Sequence, residues 1–350
     1  MTSRRLLLVL ALGLTATAAD AFAANRPSGY TTICSEGQPC SVAASTNVAF
    51  GRADHFLFKV LSGSFACSEA TFGGRIAGGV NECSVPTGSA PPDDPPDDPD
   101  RGSFPGCAMP TATATVQLSQ TQIVAAGQIF DGGNRRYNLS GGSQSEGQPP
   151  VFEVQNGGTV RNVIIGPLAA DGIHCLGNCT LDHVWWEDIG EDAATALGPA
   201  GTVMNITCGA AFNGSDKTFQ FNGRGEMRIS RFYVSHAGKL VRSCGDCTGN
   251  GGPRRITVTD VITRDVPTIV GINTNFGDVA TIRNLTLNNS GTSKTKICQV
   301  YKGVVKGQGS SQALGVEFNT ANCQVSPSDD TLLSPSQMNT SACAGSCPIP

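Results

Sequence analysis

Between Val160 and Leu287 a short phrase recurs: an apolar residue, a polar spacer drawn mostly from Asn, His, Asp and Arg, and another apolar residue. It reads VRNV at Val160–Val163, LDHV at Leu181–Val184, VMNI at Val203–Ile206, ISRF at Ile229–Phe232, VTDV at Val258–Val261 and IRNL at Ile282–Leu285. The closing residues lie 21, 22, 26, 29 and 24 positions apart, which makes six turns visible. A period in this range belongs to solenoids, propellers or arrays. Phrases rich in β-branched residues, separated by Gly, Asn and Asp and without helical periodicity, select the stacked β form. The sequence therefore predicts an all-β chain whose main domain is a right-handed parallel β-helix, with equivalent residues of successive turns about 4.8 Å apart.

The repeat gives the charged residues a geometry. Asp171 is eight residues past Val163 and Asp192 is eight past Val184, so both carboxylates are expected on one outer face. Stacked carboxylates repel unless a cation lies between them, and a flexible all-oxygen site suits calcium. Glu191 is available as a third ligand. Lys217, Lys239 and Arg242 lie 11, 7 and 10 residues past the ends of their own phrases, and are expected to flank the same face after a longer loop in the third turn. A metal beside a cationic cluster suits a polyanion.

The stretches ADGIHCLGNCTLDHVWWEDIGEDAAT, DKTFQFNG, GKLVRSCGDC and GINTNFGD, in that order, resemble pectate lyases of polysaccharide lyase family three, over most of residues 125–305. The resemblance implies a compact right-handed β-helix that cleaves polygalacturonate (pectin) by β-elimination. It implies calcium at Asp171, Glu191 and Asp192, Lys217 as the base, and Lys239 and Arg242 as binders of substrate carboxylate and stabilisers of charge. The chain is expected to be a monomer with no nucleic-acid partner, and with no membrane partner because no later stretch approaches the ~20 apolar residues of a spanning helix. A free lysine titrates near ~10.4, so a lysine base needs cationic neighbours and works best at alkaline pH. Asp216 is placed to assist Lys217 or the metal and stands outside this principal set. The chain departs from the family phrase at Phe221, where histidine is frequent, and at His236-Ala237, where an acidic-aromatic pair is common; both are expected to flank the cluster.

Composition changes the picture at the N-terminal end. Arg4 and Arg5 precede the apolar run Leu6–Leu14, and Ala21-Phe22-Ala23 supplies a small-x-small cleavage pattern, so residues 1–23 read as a secretory signal peptide. Fourteen cysteines, an even number, agree with disulfides in an oxidising, extracellular setting. Residues 24–85 hold Cys34, Cys40, Cys67 and Cys83 between alternating segments. Tyr30, CSEGQPC, VAFGRAD, CSEATFGG and Cys83 resemble a cysteine-bearing accessory module of secreted bacterial polysaccharide-degrading enzymes, which implies carbohydrate attachment. A stapled spacer without a ligand explains the same residues equally well.

Residues 86–104, with APPDDPPDDPDR, read as an extended, self-repelling linker. Its aspartates account for most of the formal charge of −4, so overall acidity says little about the partner. Residues 105–350 remain as the catalytic domain, with lead-in strands before a turn at Asp131-Gly132-Gly133 and a tail anchored by Cys343 and Cys347.

Each conspicuous group also has a plainer reading. EDIGED alone is a solvated turn, Lys217 alone a surface lysine, and Arg242 a tie between turns. Cys244 and Cys247, like Cys175 and Cys179, read as a disulfide rather than zinc ligands, because a second matched pair is missing. His174 reads as structural or as a hydrogen bonder beside Asp171, and of Trp185 and Trp186 one is expected inside and one outside. A polygalacturonase-type hydrolase needs an ordered aspartate group with histidine, which is missing, and a non-catalytic β-helix adhesin has no use for the cationic cluster.

Overall fold

The computed structural model describes residues 26, 30–52, 55–74, 76, 79–86, 102–143, 147–290, 294–326 and 338. The signal peptide expected at 1–23, most of the linker expected at 86–104, and Cys343 and Cys347 lie outside the described residues. The chain divides into two compact units between Ser89 and Ala90.

The N-terminal unit holds a four-stranded antiparallel sheet in the spatial order Tyr30–Ser35, Glu82–Pro86, Pro39–Arg52, His55–Ala66. So small a unit buries little apolar surface, and covalent links compensate. Cys34–Cys40 and Cys67–Cys83 are bonded. Phe72, on a single helical turn Glu69–Phe72, stacks on the buried Phe50 at 5.1 Å.

The C-terminal unit is a parallel β-solenoid. Two nine-stranded sheets run its length, with strands alternating between them along the chain as far as Lys296–Lys302, so each turn up to there contributes one strand to each sheet. All neighbours within them are parallel except the closing hairpin of Lys296–Lys302 with Gln312–Val316. Stacking makes the core continuous, with Val160, Leu181, Val184, Ile229, Val258, Val261 and Ile282 at most 2% exposed. Each such side chain contributes about 1.5–3 kcal/mol by leaving water.

The backbone register sets the true repeat. Val163, Val184, Gly209, Phe232, Val261 and Leu285 are paired from turn to turn. Immediately before them stand Asn162, His183, Cys208, Arg231, Asp260 and Asn284, all with φ between 47° and 56°. One left-handed residue per turn bends the strand at the same place, and Asn and Asp tolerate that conformation better than most. Five of them are polar spacers of the sequence phrase, and Cys208 is the exception.

One phrase is thereby corrected. VMNI does not end the third turn, because Ile206 pairs with Leu181, the start of the preceding phrase, and Gly209 takes the closing position. A Cβ at Gly209 would lie 2.1 Å from the Val184 carbonyl oxygen and 3.0 Å from the Phe232 ring, so the aromatic ring of the next turn occupies space that an apolar side chain fills elsewhere. The longer loop expected in the third turn disappears with this correction. The stack also begins earlier than the phrases suggest, with Thr115–Leu118 and Gln122–Val124 in the two sheets. The turn expected at Asp131-Gly133 lies within strand Ile129–Leu139, as a register shift.

Trp186 is fully buried against Phe219 and Phe232, at 6.0 and 6.3 Å. Trp185 faces outward in a separate cluster covered by Met109 and Ala112, where its Nε1 donates to the Cys107 carbonyl at 3.0 Å. The Cys107–Cys208 disulfide fixes that covering segment.

Candidate active site

The sheet that contains Ile173–Cys175, Asp192–Ala196, Lys217–Phe221, Lys239–Ser243, Thr268–Asn273 and Lys296–Lys302 brings the candidate residues together. Asp192 pairs with Lys217, and Lys217 with Lys239. Ile173 pairs with Ala194, which places Asp171, two residues earlier, level with Asp192. With the repeat corrected, Lys217 is eight residues past Gly209, the same offset that Asp171 and Asp192 have from their own closing residues. A single column therefore runs Asp171, Asp192, Lys217, Lys239.

A local irregularity puts a second column beside it. Ala193 and Ala194, Leu240 and Val241, and Ile269 and Val270 are consecutive residues that all enter the core with no exposure. Two successive inward residues break simple alternation, so Arg242, three positions after Lys239, returns to the outer face. It pairs with Gln220 of the preceding turn and Gly271 of the next.

Asp171 and Asp192 are mostly shielded from solvent, with side chains 15% and 8% exposed. Asp171 Oδ2 is 2.7 Å from His174 Nε2, the contact expected of His174. The Oδ1 atoms of both aspartates are buried without a hydrogen-bond partner. Lys217 Nζ stands 3.6 Å from Asp192 Oδ1, an ion pair beyond hydrogen-bond reach. Burial, with Asp171, Glu191 and Asp216 adding repulsion and Lys217 opposing, pushes the Asp192 carboxyl up to about 7. Two buried, unpartnered carboxylate oxygens are costly, and an all-oxygen donor set of this kind fits a hard cation. Glu191 Oε2 accepts from the Gly147 amide at 2.9 Å, which holds the third carboxylate in place.

Asp216 joins the lysines. Its Oδ2 accepts from Lys217 Nζ and its Oδ1 from Lys239 Nζ, both at 2.5 Å. Burial acts to raise its pKa, but the two ammonium groups outweigh that and hold the carboxyl below the usual range. Its place next to Lys217 in the chain is the sequence signal that brings Asp216 into the group. Arg242 is 7% exposed, and burial pulls its guanidinium down to about 10, so it stays charged through the neutral range.

EDIGED divides by role. Glu187 forms a buried bidentate pair with Arg136, at 2.7 and 2.9 Å, while Asp192 stands in the column and Glu191 precedes it in the chain. The two departures from the family phrase do not line the cluster. Phe221 is a core residue at 1% exposure, and Ala237 is buried, while His236 turns outward to 3.6 Å from Asp265. Cys175–Cys179 and Cys244–Cys247 are disulfides, as expected, and Cys298–Cys323 is a further one. In the N-terminal unit the four cysteine sulfurs lie within 4.8 Å of one another, a spacing at which thiolates hold metal. All four are consumed in disulfides, so the carboxylates remain the better donor set.

Comparison with known proteins identifies the family of the chain. The family model described as Pectate lyase matches residues 106–308. The chain is 40% identical to the probable pectate lyase F of Aspergillus terreus over 205 residues, 57% of this chain and 85% of the relative. It is 41% identical to pectate lyase H of Emericella nidulans over 210 residues, 58% of this chain and 76% of the relative. Among solved structures, the catalytic domain of pectate lyase PelI from Erwinia chrysanthemi superposes with a TM-score of 0.54 at 38% identity, covering 63% of this chain and 97% of that one. PelI in complex with tetragalacturonic acid superposes with a TM-score of 0.52 at 30% identity, covering 83% and 91%. The chain belongs to the pectate lyase family, as a polysaccharide lyase whose β-solenoid catalytic domain follows a cysteine-rich N-terminal module.

Proposed function

We propose that the protein is a secreted, calcium-dependent pectate lyase that cleaves polygalacturonate, the de-esterified form of pectin, to 4,5-unsaturated oligogalacturonates. The observation that carries this reading is the column Asp171, Asp192, Lys217, Lys239, in which two buried carboxylate oxygens without hydrogen bonds adjoin two ammonium groups. The tetragalacturonic acid complex of PelI supports a uronate polymer as substrate.

Asp171, Glu191 and Asp192 would hold calcium, which when bound supplies Lewis acidity and a template for a uronate carboxylate. The protein's own residues carry the proton chemistry. The C5 proton of a galacturonate unit is acidified by the neighbouring carboxylate, and Lys217 as free amine removes it. The C5–H electron pair becomes the C4–C5 double bond, the C4–oxygen bond breaks, and the departing oxygen takes a proton from water. Lys239 and Arg242 bind substrate carboxylates and stabilise the charge that develops before the bond breaks. Asp216 accepts from both lysine nitrogens and so fixes their orientation before the proton is transferred.

The remaining chain serves delivery. Residues 1–23 direct export, 24–85 act as an accessory module that attaches to carbohydrate, 86–104 link the units, and 105–350 catalyse as a monomer. Described residues include no helix long and apolar enough to cross a membrane.

Digestion of polygalacturonate tests the reading. Ultraviolet absorbance from unsaturated ends should rise, stop with chelator and resume with calcium. New reducing ends without that absorbance would identify a hydrolase instead.

A further inference from the structure

Among the described residues three arginines of the solenoid are buried, and one is unlike the others. Arg136 is paired with Glu187 at 2.7 Å, and Arg254 Nη1 lies 3.7 Å from Asp278. Arg242 has no carboxylate within ion-pair distance among the described residues. Its hydrogen-bond partners are neutral: Nη1 donates to the Ser243 carbonyl, to Asn273 Oδ1 at 3.0 Å and weakly to the Gly271 carbonyl at 3.5 Å, and Nη2 donates to Ser311 Oγ at 3.1 Å. The guanidinium carbon lies 3.8 Å from the centre of the Tyr301 ring, within cation–π range.

The surroundings are built to admit that side chain. Gly271 is the residue paired with Arg242 on the next turn, and a Cβ there would lie 2.6 Å from Arg242 Cδ and 3.1 Å from the Tyr301 ring. A side chain at that position would block the path to Tyr301, which stands two turns away from Arg242. Gly245 is similarly close, with an added Cβ 3.3 Å from Arg242 Nη2. Asn273 is fully buried, and its Nδ2 donates to the Cys244 carbonyl at 2.8 Å, which fixes the amide that faces the guanidinium. Asp278 and Asp216 act on the guanidinium only from beyond ion-pair distance, so no carboxylate touches it, and a buried cation so placed gains from an anion that arrives in direct contact.

We propose that Gly271, Asn273, Ser311 and Tyr301 form a charge-neutral cradle that presents Arg242 as a preorganised receptor for a substrate carboxylate. These four are positioning residues, and their neutrality is a functional requirement. The inference rests on the assignment of Arg242 to substrate binding. An anion built into the cradle would occupy the guanidinium and exclude the uronate, although it would strengthen a merely structural tie.

Charge-matched variants of the full chain separate these roles. Ser311→Asp should lower kcat/KM on polygalacturonate at least tenfold relative to Ser311→Asn, with an unchanged or higher Tm and unchanged calcium affinity by calorimetry. Asn273→Asp should behave the same way against the parent protein, since the Cys244 carbonyl retains its bond from Asn250 Nδ2 at 2.9 Å. If Asn273→Asp fails to fold, the Ser311 pair decides alone. Equal kcat/KM for folded Ser311→Asp and Ser311→Asn would overturn the cradle. Full activity of Arg242→Ala would instead remove Arg242 from the substrate site, and absence of unsaturated product from the parent protein would remove the lyase reading itself.

Discussion

Lys217 occupies the position directly paired with Asp192 on the adjacent turn, with its Nζ 3.6 Å from Asp192 Oδ1. The metal side and the proton side of the proposed reaction therefore meet at one pair of residues. A cation held at Asp192 would lie next to the amine that takes the proton, which links metal occupancy to the base.

That proximity has a consequence for stability. Burial raises the Asp192 carboxyl from 3.8 to about 7, so without metal the folded protein binds this proton more tightly than the unfolded chain. A raised acid contributes stability that is fully present below the unfolded value and is lost as pH rises through the folded one, here between roughly 4 and 7. Calcium binds the deprotonated form and should restore that loss. At a calcium concentration about 100 times its dissociation constant, near pH 8, the gain is about 2.7 kcal/mol, or roughly 5–10 °C in Tm. Thermal melts with calcium and with chelator should show that rise near pH 8 and a much smaller one near pH 5. Equal rises at both pH values would contradict the Asp192 assignment.

The Arg136–Glu187 pair should matter for stability and not for chemistry. It joins strand Ile129–Leu139 to the segment after Cys179–Trp186, two turns along the stack, with both side chains 5% exposed. Glu187→Gln leaves a buried guanidinium without its counter-charge, a loss of about 3–5 kcal/mol. Denaturant unfolding should show it as a lower midpoint, while kcat of the folded variant stays at the parent value. A cost under about 1 kcal/mol would mean that water reaches Arg136.

Much of this fold is legible because left-handed polar residues and β-branched neighbours recur once per turn, as at Asn162-Val163 and His183-Val184. The third turn is illegible for a physical reason. Gly209 has no side chain to mark the position, and Phe232 of the next turn fills it, so an apolar search finds Ile206 three residues too early. Asp171 and Asp192 are readable from their shared offset, and Lys217 shares it once Gly209 is recognised. The Arg242 cradle is a different case. Gly271 and Asn273 fall inside the GINTNFGD stretch, but Tyr301 and Ser311 come from the closing hairpin region and reach Arg242 only through stacking. No spacing rule connects residues 242 and 311.

The central claim is that one column of stacked residues divides into a metal site and a base. Steady-state kinetics on polygalacturonate under calcium titration, for Asp192→Ala and Lys217→Ala side by side, tests it most directly. Asp192→Ala should need more calcium and recover turnover as calcium is added, because mass action offsets a lost ligand. Lys217→Ala should lose at least about 10²-fold in kcat at every calcium concentration, as expected for a general base, with calcium binding intact by calorimetry. Near-normal turnover of Lys217→Ala, or restoration of its activity by calcium, would contradict the account.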